Sequence, residues 1–448
     1  MASILAPLLP PELTDMVIDY LADDKAALAT TSLVARTWLV RSRVHLFRRV
    51  SVTADFVAFA AFLRESPCLH PYIRHLVLQG RDAFNIANFP CPSSSSCSSS
   101  RVPSLAPLGI VTLEPIVLGA ILIQLPCLQS LQMHEVSFRG RAWPYRSPEL
   151  KISDVVMMNV GSIEDTTNDF LHVLGLFSDV EYLYIQSVAQ KLDLDDRRLC
   201  VGHLDIPKSL RLHALKLEDV PAALYLQVIR HTDSLRSLKA MDVECAGLED
   251  AMLLSELLGE LESDVECLCL NLLHCFTQDE PVDEDSDSDE EPDEPPIPNS
   301  RAIRETLCAG VSSCPHLTTL DISISLDTPP TSTPPTSSSF NGWDSLAGIL
   351  HSAPSTLRRI DICLAADMDS DPDIDIDMDA DREGQPLKMQ ALPWHPIAAA
   401  LQRFARVERV AFVNVPGSVW GFEEAEKEVV RRNLRELAES GLLQVGWA

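Results

Sequence analysis

One spacing constrains this chain more than any other: an apolar residue, a second three positions later and a third two positions after that, nine times over from Ile73 onward. The copies are Ile73/Leu76/Leu78, Leu128/Leu131/Met133, Val180/Leu183/Ile185, Leu212/Leu215/Leu217, Leu235/Leu238/Ala240, Val265/Leu268/Leu270, Leu317/Leu320/Ile322, Leu357/Ile360/Ile362 and Val407/Val410/Phe412. Each reads as a short strand with one buried face. The intervals carry helical patterns over 54–65, 114–124, 163–177, 221–231, 248–261, 301–311 and 396–404. Strands and helices in alternation imply an α/β fold of parallel strands side by side, backed by helices. The same alternation also permits a doubly wound sheet, but no glycine-rich phosphate loop follows any strand.

Composition matters mainly where it breaks this pattern. Four insertions, 91–104, 279–299, 328–339 and 367–386, are rich in serine, proline or acid and hold too few apolar residues to offset the entropy of ordering. The formal charge of −29 is concentrated there: Asp279 to Glu294 holds eleven acidic residues and no basic one, and Asp367 to Glu383 holds nine against Arg382. A surface of this sign gives no electrostatic support to nucleic-acid binding. The amino terminus has no basic residue before its proline-broken apolar stretch, so a targeting peptide is not expected, nor is a membrane span. The 12 cysteines, half of them within apolar segments, as Cys267, Cys269 and Cys363 are, point to buried reduced thiols and a cytoplasmic or nuclear protein. Near the end, 423–440 reads as an amphipathic helix that caps the array, with Gly441 as its stop signal.

The first fifty residues form a separate unit. Pro10 and Pro11 suit a first helical turn, Glu12 favours its positive end, and Leu13, Val17, Ile18 and Leu21 recur at helical spacing. Asp23 and Asp24 are placed to cap a second helix, and a third carries Val34, Trp38, Val44 and Leu46-Phe47 among five arginines. Three such helices bury little surface alone and need a partner or the adjoining domain.

The run Leu9-Pro10-Pro11-Glu12-Leu13, then Ile18 and Leu21, Val34-Ala35-Arg36-Thr37-Trp38 and His45-Leu46-Phe47, resembles the F-box, in the version common in fungal F-box proteins with degenerate leucine-rich repeats. Ala35 stands where that version often has cysteine, and Leu46-Phe47 where many F-boxes have tryptophan. The resemblance implies an F-box over 1–50 and a leucine-rich-repeat-like αβ solenoid over 51–448 that recognises a protein substrate. It implies that Leu9, Pro10, Glu12, Leu13, Ile18 and Leu21 face the Skp adaptor subunit, with Trp38 anchoring the third helix. The chain is then a non-catalytic, substrate-recruiting adaptor of a Skp–cullin–F-box ubiquitin ligase, linked through Skp to cullin and RING subunits. A repeat scaffold that holds partners without delivering ubiquitin, and a helical cap that binds nothing, are the readings set against it.

Residues between the inward leucines point to the opposite face of the strands, which becomes the candidate substrate surface. Tyr182, Tyr184, Lys216, Lys239 and Arg359 are the candidates on it, beside others such as His75, Val77, Gln132, His134, Met241, Asp361 and Ala411. No nucleophile elbow, phosphate loop, His-Glu-x-x-His or paired Cys-x-x-Cys motif is present, and no cofactor or metal is expected.

Overall fold

The computed structural model describes residues 10–80, 111–139, 150–162, 167–187, 206–261, 265–273, 275, 300–326, 341–366, 389, 392–414, 422 and 424–446. The four insertions named above lie outside them. The chain divides into two compact units, Met1–Leu212 and His213–Ala448.

The first unit opens with three helices, α1 (Pro11–Tyr20), α2 (Lys25–Val34) and α3 (Arg36–Arg48). Pro11 starts α1, and the Asp24 carboxylate accepts the Ala27 N–H to cap α2. Then come β1 (Arg49–Thr53), α4 (Phe56–Glu65), β2 (His75–Gln79), β3 (Thr112–Leu113), α5 (Pro115–Ile123), β4 (Ser130–His134), β5 (Ser137–Phe138), β6 (Leu150–Met158), β7 (Gly161–Ser162), α6 (Thr167–Leu174) and β8 (Phe177–Gln186). Strands β1, β2, β4, β6 and β8 are joined in that order, every pairing parallel. The short β3, β5 and β7 make a separate parallel ladder. Helices α4, α5 and α6 pack on one another in sequence order.

The boundary falls within β9 (Arg211–Glu218), whose larger part opens the second unit; α7 (Ala222–Arg230), β10 (Ala240–Glu244), α8 (Leu248–Glu260), β11 (Cys267–Leu272), α9 (Ser300–Ser312), β12 (Thr319–Leu326), α10 (Asn341–Ser352), β13 (Arg359–Ala366), α11 (Trp394–Leu401), β14 (Arg409–Asn414), α12 (Glu424–Asn433), α13 (Arg435–Glu439) and β15 (Leu443–Gly446) follow. Its strands are again parallel and adjacent in chain order. Neither unit reverses its strand order, as a doubly wound sheet does at its switch point. No helix among the described residues is long and apolar enough to cross a membrane.

The triplet residues form the core because the register stacks them. In the second unit Leu215, Met241, Leu268, Leu320, Ile360 and Val410 lie side by side, and Leu217, Val243, Leu270, Ile322, Ile362 and Phe412 make the next row, all buried. Helices α7 to α11 pack on one another in chain order and each buries one face, for example Leu254 and Leu257 of α8 and Ile303 and Leu307 of α9. The Trp343 indole, on a helix that the sequence pattern did not reveal, donates to the Pro393 carbonyl at 3.0 Å and meets the Trp394 ring edge-on.

The backbone repeats one device at each end of the strands. At the entry, two successive N–H groups share the carbonyl of the residue just before the neighbouring strand: Glu266 and Cys267 on Lys239, Thr318 and Thr319 on Glu266, Arg358 and Arg359 on Thr318, Glu408 and Arg409 on Arg358. At the exit of the first unit's strands, Ala54, Gly80, Glu135 and Asn159 each donate to the last residue of the following strand. Ala54, Glu135 and Asn159 adopt positive φ there.

Three expectations need correction. The fifth copy is framed wrongly: Leu235 and Ala240 are half-exposed, and Leu238, Met241 and Val243 are the buried triplet, because Leu238 satisfies the spacing in either frame. The helix expected over 423–440 is two helices broken at the buried Leu434. Gly441 (φ 74°) ends the second, its N–H bonded to Ala438 O and that of Leu442 to Leu437 O, and β15 then joins β14, so a helix pair and an edge strand close the array. Cys267, Cys269 and Cys363 are half-exposed on the face opposite Leu268 and Leu270 rather than in the core, whereas Cys245, Cys275 and Cys314 are buried; all nine described cysteines are free.

Helices α8 and α9 approach so closely at Gly310 that an added Cβ would sit 2.8 Å from Ser255 Cα, whereas a Cβ at Gly259 meets nothing within 4 Å. Gly310→Ala is expected to destabilise by about 1–3 kcal/mol, and Gly259→Ala to stabilise by up to about 1 kcal/mol. Urea unfolding of the two variants checks this, and a shift of the same sign in both contradicts the packing described.

Candidate protein-interaction surfaces

The helical trio has a small core. Ile18 and Leu28 are its fully buried apolar side chains, joined by Thr14 and Ser42. Electrostatics completes the packing: Asp19 accepts both Arg41 Nε and Nη2 at 2.6 Å and lies 2.8 Å from His45 Nε2, clamping α1 to α3. The Arg41 and His45 hydrogen bonds hold the Asp19 carboxyl down at about 2.

This arrangement splits the apolar stripe read from the sequence. Ile18 points inward and is fully buried, so it serves the trio's own core and is not available to a partner as expected. Leu13, Met16, Val17 and Tyr20, at positions i, i+3, i+4 and i+7, form an outward stripe, from 47% exposed at Leu13 to 91% at Tyr20. Leu33 and Val34 at the end of α2 and Val40 on α3 are also exposed. Pro10 and Glu12 are exposed at the start of α1, Leu21 and Trp38 are half-buried, and Leu9 lies outside the described residues. The sequence reading missed Met16 and Tyr20, although their helical offset from Leu13 was the available signal.

The outward positions of the first unit's sheet fall into rows. One comprises Arg49, His75, Ser130, Asp154 and Tyr182, and the next Ser51, Val77, Gln132, Val156 and Tyr184. Both tyrosines are half-buried, and Val77 is buried in place. Burial and the Arg48 and Arg49 charges depress the His75 pKa; burial does the same to His134.

In the second unit Lys216, Asp242, Cys269, Asp321, Asp361 and Ala411 share a row. Lys216 Nζ reaches Glu218 at 3.0 Å and Asp242 at 3.4 Å, Arg359 pairs with Asp361, and Arg409 Nε stands 3.6 Å from the same carboxylate. The Cys269 thiol donates to Asp321 Oδ2 at 3.3 Å. Burial pushes the Asp321 and Asp242 carboxyls up, and hydrogen bonding with Cys267, burial and Asp321 push the Cys269 thiol up. Of the expected contact residues, Lys216 and Arg359 therefore belong to this network. Lys239 precedes β10 and pairs with Glu266 at 3.4 Å, outside the rows. Met241 and Ala411 are buried, and the frame error in β10 hid Asp242. Among the described residues no group of three or more His, Cys, Asp or Glu side chains is placed to hold a metal ion.

Because burial raises the Asp321 pKa above its unfolded value, the unfolded chain ionises first as pH rises, and the folded state carries a penalty at neutral pH that vanishes below about pH 4. Asp321→Asn is expected to raise the urea midpoint at pH 7, with the gap closing by about pH 3. An equal gap at both pH values contradicts this account.

No protein-family model matches the chain, and no curated protein matches it.

Proposed function

We propose that this chain is a non-catalytic, F-box-type adaptor that docks a Skp subunit through its amino-terminal helices and a protein substrate through the outward faces of its parallel strands. The observation that carries the reading is the exposed stripe of Leu13, Met16, Val17 and Tyr20 on α1, with Leu33, Val34 and Val40 on the adjoining helices. Large apolar side chains displayed together on a small folded unit mark an association surface. Stable interfaces bury roughly 1,600 Å² and concentrate their energy in a few such anchors. The Asp19 clamp adds a second support, since it sets α1 against α3 before a partner arrives and lowers the ordering cost of binding. In this reading the chain raises the effective concentration of a target lysine near a ubiquitin carrier, and the bond-forming chemistry belongs to other subunits.

Co-expression of the full chain with a Skp adaptor should give a complex that survives purification and recruits cullin. Met16→Asp with Val17→Asp should weaken Skp capture by more than about tenfold and leave the circular dichroism spectrum unchanged, because both side chains point away from the core. Ile18→Ala should instead lower the thermal stability of the trio by about 2–5 kcal/mol. Undiminished capture by the double Asp variant rejects the docking face, and Skp capture without cullin favours a scaffold that delivers no ubiquitin.

A further inference from the structure

In a chain of net charge −29, the segment from Arg36 to Arg49 holds five arginines and no acidic residue. Of these, Arg41 is committed to Asp19, whereas Arg48 and Arg49 are exposed and make no ion pair among the described residues. Parallel pairing brings β2 alongside them: Arg49 is in register with His75, and the Arg74 N–H donates to the Arg48 carbonyl at 3.0 Å. The Arg74 guanidinium reaches a backbone carbonyl, Cys127 O at 3.4 Å. The charges of Arg48, Arg49 and Arg74 all bear on His75, so these cations converge on one corner of the sheet.

The outward positions of β1, β2 and β4 contain no carboxylate, and Asp154 on β6 is the first acid met along the Arg49 row. Tyr182 and Tyr184 on β8 close the far side of the rows. At physiological ionic strength charges act over about 8 Å, so this corner presents its local positive sign despite the charge of the whole chain.

We propose that this face of the first unit binds an extended acidic protein segment, with carboxylates over Arg48, Arg49 and Arg74 and an apolar side chain against the tyrosines. Five strands at about 4.8 Å spacing separate Arg49 from Tyr182 by roughly 19 Å, the reach of about six extended residues. The acidic group and the apolar anchor should therefore lie about six residues apart. The inference supplies a substrate class to the adaptor reading and rests on that reading only for the fate of the bound segment.

Fluorescence anisotropy with the full chain tests it. The probe is a labelled peptide with three glutamates at one end and Phe-Leu six residues away, and the comparisons are a version with lysines for glutamates and one shortened by three residues. The acidic peptide should bind and weaken with added salt, the lysine version should not bind, and the shortened one should bind less tightly. Arg48→Glu with Arg49→Glu should weaken the acidic peptide by more than tenfold, and Arg49→Lys should stay within about threefold. No binding of the acidic peptide, equal binding of the lysine version, equal binding of the shortened version, or indifference to the double reversal overturns the proposal. Skp capture measured on the same variants should be unchanged, which separates a failure of this surface from a failure of the docking helices.

Discussion

Lateral registration of parallel strands is the constraint on which the rest depends. Side chains in a strand alternate faces, so a slip of one residue would exchange the core row with the outward row across every neighbour. The shared-carbonyl bonds at the strand entries, from Lys239 through Glu266 and Thr318 to Arg358, pin the register one strand at a time. Regular repeats can use a ladder of side-chain amides for this purpose. Here backbone N–H groups do it, which leaves the side chains at those positions free to vary and accounts for the irregular look of the copies.

The amino-terminal helices meet a different limit. With Ile18 and Leu28 as their fully buried apolar side chains, they cannot enclose the remaining large apolar residues of their sequence, and hydrophobic burial alone would leave α1 loosely held. The Asp19 carboxylate, shared by Arg41 and His45, supplies orientation where burial is scarce. The outcome is a unit whose geometry is set by polar contacts and whose apolar surface is turned outward.

Much of the strand core was legible because alternate apolar residues followed by a helical stretch have few other physical readings. The failures also have local causes. Phe47/Val50/Val52 satisfies the spacing of the other copies, yet Phe47 belongs to the end of α3 and conceals β1. Ile152/Val155/Met157 satisfies it too, but the unbroken run from Val155 to Met158 masks alternation in β6. Leu238 fits two frames, and one frame shift was enough to hide Asp242 and to place Met241 on the wrong side. On α1, spacing alone identifies an apolar helix but not which of two adjacent apolar strips faces inward. Leu13/Val17 and Thr14/Ile18 lie about 100° apart, and the choice is made by tertiary packing.

The outward faces of the two units follow opposite electrostatic strategies. In the second unit Lys216 answers Asp242, and Arg359 and Arg409 answer Asp361, so the ionic groups largely satisfy one another and the face is costly to strip of its pairs. In the first unit Arg48 and Arg49 have no such answer within the described residues, and their guanidinium groups remain hydrated at the surface. A ligand that pairs with them gives up only water contacts, whereas one that engages the second face must first break an internal ion pair. Capacity for recognition therefore follows less from how many charges a face carries than from which of them the fold has already used.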